Sequence, residues 1–229
     1  MKEKKVFYTE AAYLCGIVIL AFGAAFMAKA DFGVSMVVAP AYVLYRFVSQ
    51  FLPFFSFGMA EFLVQGLLIA SLFVILRKRA KIGYLFSFIT AGVYSLVLDL
   101  AMLLVGLIPL AGIVWQIIYY IIGLMLCAFG VAFFFRSYVP PAAYELFVKE
   151  FSSKLGFRLT RVKTIYDITS CLVAIALSFI FFGLWQFVGA NIGTVVCAVV
   201  NGTVITLIGK LLDKLFIFKD AFKLRKRFE

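Results

Sequence analysis

The sequence predicts an all-α integral membrane protein: six full transmembrane helices plus two broken, re-entrant or interfacial helices, arranged as an internal repeat of inverted topology. Three observations predict it. The 229-residue chain is 65% hydrophobic with a mean hydropathy of +1.10, well beyond the roughly half-apolar composition of soluble domains. Several runs reach the ~20 apolar residues a helix needs to cross a bilayer. A phrase from the first half, AFGAAFMAK at 21–29, returns as AFGVAFFFR at 128–136.

The elements follow in order. The run at about 9–29 is long, has no small-x-small cleavage site and precedes further spans, so it reads as a retained first span rather than a signal peptide. Residues 35–53 hold Pro40, Arg46 and Pro53 and do not read as a simple span. Spans follow at about 57–77, 83–106 and 112–135. Residues 140–157 open on Pro140 and Pro141 and carry Glu145, Lys149, Glu150 and Lys154, which bars them from crossing lipid as a plain helix. The last spans are expected at about 164–184 and 188–209. The segment LLDKLFIFKDAFKLRKRF mixes aromatics with bases and reads as an amphipathic helix on anionic inner-leaflet lipids.

Charge sets the orientation. With Lys2, Lys4 and Lys5 in the cytoplasm and six crossings, RKRAK (77–81), Arg158, Arg161, Lys163 and the basic tail are also cytoplasmic. Of the 22 bases, only Lys29 and Arg46 then fall outside. An eight-span alternative puts RKRAK outside. The expected address is a bacterial cytoplasmic membrane, multi-pass, with both termini cytoplasmic. The net charge of +11 is placed as a topology signal, beside apolar runs, and not as a nucleic-acid footprint.

The repeat extends past its first phrase. VVAPAYVLY answers VPPAAYELF, Glu61 answers Asp167, and IGYLFSFITAG (82–92) answers IGTVVCAVVNG (192–202), at offsets of 106 to 110 for the spans. Gly83 and Gly92 thereby match Gly193 and Gly202. Three crossings per unit invert the second copy, a construction recurrent in secondary transporters with the site at the repeat interface. The units are 1–108 and 109–212, followed by a basic segment at 213–229. The two proline-containing stretches are either re-entrant or surface helices.

Function classes narrow by what is missing. The chain has no histidine, which excludes His triads, His metal sites and His relays. Rossmann and P-loop glycine patterns are missing too. Cys15, Cys127, Cys171 and Cys197 lie in apolar runs without a CxxC pair and read as packing residues. Tyr166–Asp167 lacks the second glycine-aspartate motif of an intramembrane aspartyl protease. No cofactor, metal or catalytic residue is expected, and the chain does not read as an enzyme.

Ionisable groups at membrane depth point to a pathway, so Glu61, Asp99 and Asp167 are candidates to bind a cation, proton or amine. Pairing with Lys29 or Arg136 is the bland alternative. Ser35, Tyr42, Tyr144, Thr194 and Asn201 complete the expected binding set. Lys29, Asp31 and Arg136 are expected near the mouths, Pro40, Pro140 and Pro141 at broken helices, and Gly83, Gly92, Gly193 and Gly202 at close helix contacts.

The stretches KADFGVSMVVAPAYVLY, FSFGMAEFLVQGLL and SLVLDLAMLL, with the later NIGT, resemble the YczE/YitT-type family of bacterial membrane proteins over nearly the whole chain. The matching positions are Gly33, Ser35, Pro40, Tyr42, Asp99, Gly193 and Thr194; Met36 stands where the family often has proline. The resemblance implies class and location but no substrate. The leading expectation is a transporter or exporter of a small solute. The rival is a non-transporting accessory or scaffold protein that assists a partner at the inner leaflet; oligomeric state is left open.

Overall fold

Inside a bilayer every backbone N–H and C=O must find its partner within the protein, so an apolar run crosses as a helix or as part of a closed barrel. Here the answer is helical. A computed structural model describes residues 5–77, 84–110, 112–139 and 142–222. The order is β1 (Lys5–Tyr8), α1 (Thr9–Ala30), α2 (Ala39–Val48), α3 (Phe57–Leu76), α4 (Tyr84–Gly106), α5 (Gly112–Phe134), α6 (Ala143–Leu155), α7 (Leu159–Phe182), α8 (Ile192–Leu215) and β2 (Phe216–Lys219). Among the described residues, six helices are long and apolar enough to cross a membrane: α1, α3, α4, α5, α7 and α8. Gly83, Pro140 and Pro141 lie outside the described residues, as does most of RKRAK.

The two remaining helices are too short to span. The 10 residues of α2 cover about 15 Å and the 13 of α6 about 20 Å, against a hydrocarbon core of about 30 Å. Pro40 does not break α2. It sits in the first turn, where no N–H is required, and so starts the helix. Both short helices pack into the bundle, α2 on α3 and α7, α6 on α3, α4 and α7.

The centre of the bundle is the crossing of α1 and α5. Gly16 faces Gly130 and Gly23 faces Gly123, so residue number rises along one helix as it falls along the other, and the two run antiparallel. The approach is close enough to demand glycine. A Cβ on Gly23 would lie 2.6 Å from the Cys127 nitrogen, and one on Gly130 would lie 2.8 Å from Leu20. Lipid chains are as apolar as the helix surfaces, so such backbone-to-backbone packing, rather than water exclusion, holds helices together in a membrane. Helix contacts recur between the first four helices and the last four: α1 packs on α4 and α5 on α8, and α2 packs on α7 and α6 on α3.

The ends of the chain depart from expectation. The described part of the tail is not an amphipathic helix. α8 runs to Leu215, and Phe216–Lys219 then pairs in parallel with Lys5–Tyr8, Lys5 opposite Phe216. Alternation in FIFK suits a half-covered strand, and Phe216 and Phe218 close on Phe7, which also contacts Phe133. The Glu10 carboxylate accepts from the Ala221 and Phe222 amides and from the Tyr138 hydroxyl. Lys5–Tyr8 and Phe216–Lys219 therefore lie on one side of the bundle, as an even number of crossings between them requires.

Candidate functional site

Three polar sites occupy the bundle, and they differ in how fully their groups are used. The first surrounds Asp99. Ser56 caps α3, its hydroxyl accepting from the Met59 amide at 3.0 Å. The same hydroxyl donates to Asp99 Oδ2 at 2.6 Å, and the Gly58 amide donates to Oδ1 at 2.7 Å. The carboxylate thus sits on the positive end of a helix, with both oxygens engaged. A Cβ on Gly58 would lie 2.6 Å from that carboxyl group and collide with the Ser95 carbonyl, so the clasp needs glycine.

The second site locks the loop after α1 to the start of α8. The Gly193 amide donates to the Phe32 carbonyl at 2.9 Å and the Val34 amide to the Gly189 carbonyl at 3.1 Å. Thr194 Oγ1 donates to the Val34 carbonyl at 2.8 Å, and the Tyr120 hydroxyl to the Gly193 carbonyl at 2.5 Å. Gly33 has φ of 113° and would drive a Cβ to 2.6 Å from Thr194 Oγ1. Tyr42 covers Gly189 and accepts from Arg46 at 3.1 Å, while Arg46 lies 3.9 Å from Asp31. Thr194 and Tyr42, expected around a ligand, and Asp31, expected at a mouth, are thus used in this seal together with Gly193, expected at a close helix contact. The mouth bases do not reach Glu61 or Asp167. Lys29 donates to the Gly106 carbonyl at 3.0 Å, and Arg136 grips Asp213 through two contacts of 2.7 Å.

The third site is a cavity at the centre, with about 40 Å³ open to water centres. Its wall draws on all six spanning helices and on the N-terminal ends of α2 and α6. Glu61 is completely buried there. Its Oε1 accepts from Gln65 Nε2 at 3.3 Å, one helical turn away, and Gln65 Oε1 in turn takes the Ala143 amide of α6 at 3.1 Å. That second bond fixes the amide so that its NH₂ faces Glu61. Glu61 Oε2 makes no well-formed hydrogen bond, although the Tyr144 hydroxyl faces that carboxyl, and the Tyr94 hydroxyl, Glu145 Oε2 and Asn201 Oδ1 have none either. All of these residues line the cavity, as does Ser35.

Lys163 brings Asp167 to the same place. Its ammonium lies 3.6 Å from Asp167 Oδ1, one turn along α7, and it lines the cavity beside Glu145. Burial pushes the Glu145 carboxyl above its ordinary value, and Lys163 opposes that rise. Val37, Tyr144, Glu145 and Lys163 also wall a neighbouring pocket of about 200 Å³, which continues past Tyr166 and Lys149 to Ser137 at the end of α5.

The structure therefore gathers Glu61, Tyr144, Asn201 and Ser35 at one cavity with Asp167 beside it, and holds Asp99, Tyr42 and Thr194 elsewhere. Sequence reading passed over Gln65, Tyr94, Glu145, Lys163 and Tyr166. Gln65 had a legible signal, four residues after a buried acid on a spanning helix. Of the glycines, Gly193 is tight, Gly92 makes an ordinary contact with Phe62, and Gly202 meets nothing within 4 Å. The expected close approach is therefore not at Gly202, which points away from the other helices.

Residues 7–210 match DUF6198, a family of unknown function. No curated protein and no solved structure matches the chain. The match spans most of the sequence, and the chain belongs to that family, a coarser assignment than the YczE/YitT-type likeness.

Proposed function

We propose that this multi-pass membrane protein transports a small solute across a bacterial cytoplasmic membrane, through a site between the two halves of an inverted repeat. One observation carries the reading: Glu61, fully buried with an unpartnered oxygen, faces a cavity to which both halves contribute. An uncompensated carboxylate at that depth is expensive, and a site that it serves is the ready reason for its presence.

The antiparallel packing of α1 on α5 supports the inverted repeat, because the 107-residue offset between AFGAAF and AFGVAF exchanges the contact Gly16–Gly130 with Gly23–Gly123. So does the matched tethering of Lys29 to Gly106 and of Arg136 to Asp213, each across 77 residues. The concentration of bases near α7 and the chain ends favours a cytoplasmic location for both termini. The seal at Gly33, Gly189 and Thr194 then closes the outer end, while the larger pocket adjoins the cavity towards the inner one. That asymmetry fits one state of an alternating-access cycle. No catalytic role is proposed for any of these groups.

The test is ion-coupled uptake by purified protein in liposomes. Glu61→Gln and Asp167→Asn are expected to abolish uptake while folded yield is kept; full uptake by both variants would remove these acids from the mechanism. Cysteines placed at Lys29 and Arg136 are expected to react with a membrane-impermeant label from opposite sides, and labelling from one side would overturn the inverted arrangement.

A further inference from the structure

The cavity has a charge and size of its own, separate from the pocket beside it. Glu61 and Glu145 line the cavity, and the one ammonium on its wall, Lys163, is shared with Asp167 beside it, which leaves negative charge to be balanced. The unpartnered atoms include three acceptors on the cavity wall, Glu61 Oε2, Glu145 Oε2 and Asn201 Oδ1, together with two tyrosine hydroxyls. One proton on a carboxyl is donated to only one neighbouring oxygen. A cation draws on several oxygens at once.

The donor set also limits the charge of that cation. Among the described residues, no three Asp, Glu, Cys or His side chains converge to hold a metal ion, so any bound ion meets few carboxylates and mostly neutral oxygens. Calcium selects six to eight oxygens with several carboxylates, and magnesium holds a rigid octahedron with its waters. Neither finds that donor set on this wall, where Glu61 and Glu145 are the carboxyl groups and the other oxygens are neutral.

Resting on the transport reading of this same site, we infer that the central cavity is a binding site for one small monovalent cation, an alkali ion or ammonium. The pocket of about 200 Å³ beside it receives the solute. Tyr144, Glu145 and Lys163 form the wall between the two, so occupancy of one alters the charge felt in the other. Lys163 already partners Asp167, which makes it the internal competitor for an incoming cation.

Binding can be read without any flux. Purified protein in nanodiscs is titrated with lithium, sodium, potassium, rubidium or ammonium chloride against N-methylglucamine chloride at constant ionic strength, and the thermal unfolding midpoint is followed. A ligand of the folded state raises the midpoint saturably. At least one small cation is expected to do so, with calcium and magnesium ineffective, and Glu61→Gln and Asn201→Ala are each expected to weaken it by about tenfold or more. No shift from any monovalent ion between pH 6 and 9, or equal shifts in both folded variants, overturns the cation site. Saturable cation binding without uptake in liposomes would sink the transport reading and leave the cation site standing. Uptake that depends on Glu61 without cation binding would do the reverse.

Discussion

Asp99 and Glu61 are both lone carboxylates on neighbouring spanning helices, and the structure treats them in opposite ways. Asp99 takes a hydroxyl and an amide at 2.6 and 2.7 Å and sits at the N-terminus of α3. Glu61 has one long bond from Gln65 at 3.3 Å and an oxygen with no partner. Membrane depth alone does not mark a functional acid. A carboxylate whose oxygens are all engaged by the fold contributes to stability, whereas one left short of donors is available to something else.

Mutation can break that contrast. The largest stability effect is expected from Asp99→Ala, which strips the α3 cap of its acceptor and leaves Ser56 and the Gly58 amide unpaired. About 3 kcal/mol should be lost in reversible unfolding in mixed micelles, while Glu61→Gln should be neutral or stabilising. Equal losses in the two variants would erase the distinction. Gly58→Ala comes next, at about 2 kcal/mol, because the added methyl meets the Ser95 backbone, which cannot rotate away.

Glu145 sharpens the comparison through pH. Burial raises its folded-state pKa above the ordinary 4.5, so the folded protein binds more protons than the unfolded chain at intermediate pH. Stability is then greatest below about pH 4.5 and falls as pH rises towards the folded value. Glu145→Gln should remove that fall, and an unchanged pH profile would show the carboxyl to be offset by Lys163 at all pH values. The smallest effect is expected at Gly202→Ala, within about 0.5 kcal/mol, since its Cβ would meet nothing within 4 Å. Gly193→Ala, pressed on the Phe32 carbonyl at 2.5 Å, should be clearly worse by the same measurement.

Much of the architecture was legible before any coordinates. The six spans were readable because a lipid core imposes length and hydropathy on each helix separately, a constraint local to the chain. Their limits were less so. The last span was expected from about 188, but α8 begins at Ile192, since residues 187–191 are held in a loop whose Gly189 carbonyl takes the Val34 amide and whose Val188 amide bonds Ser178. At the site, Glu61 and Asp167 stood out as acids within apolar runs. Glu145 and Lys163 did not, because their neighbours are polar and their depth comes from the packing of α6 and α7. The strand at Phe216–Lys219 was read as helix for a related reason. Its partner lies at Lys5–Tyr8, at the opposite end of the chain, and local pattern carries no trace of that pairing.

The sequence by itself determined the class, the spans and the repeated phrase, since each follows from composition or spacing along one run of residues. Tertiary structure decided which polar groups are consumed and which are left over. Asp99 and Thr194 look like ligand residues on paper, and their partners Ser56, Gly58 and Val34 arrive from far along the chain, while Tyr42 is taken by Arg46 one turn away. Glu61 is left with Gln65 at 3.3 Å and the facing Tyr144 hydroxyl, and no well-formed bond reaches its Oε2. Hydrogen-bond satisfaction is a property of the assembled bundle, and it is what separates a cap from a site.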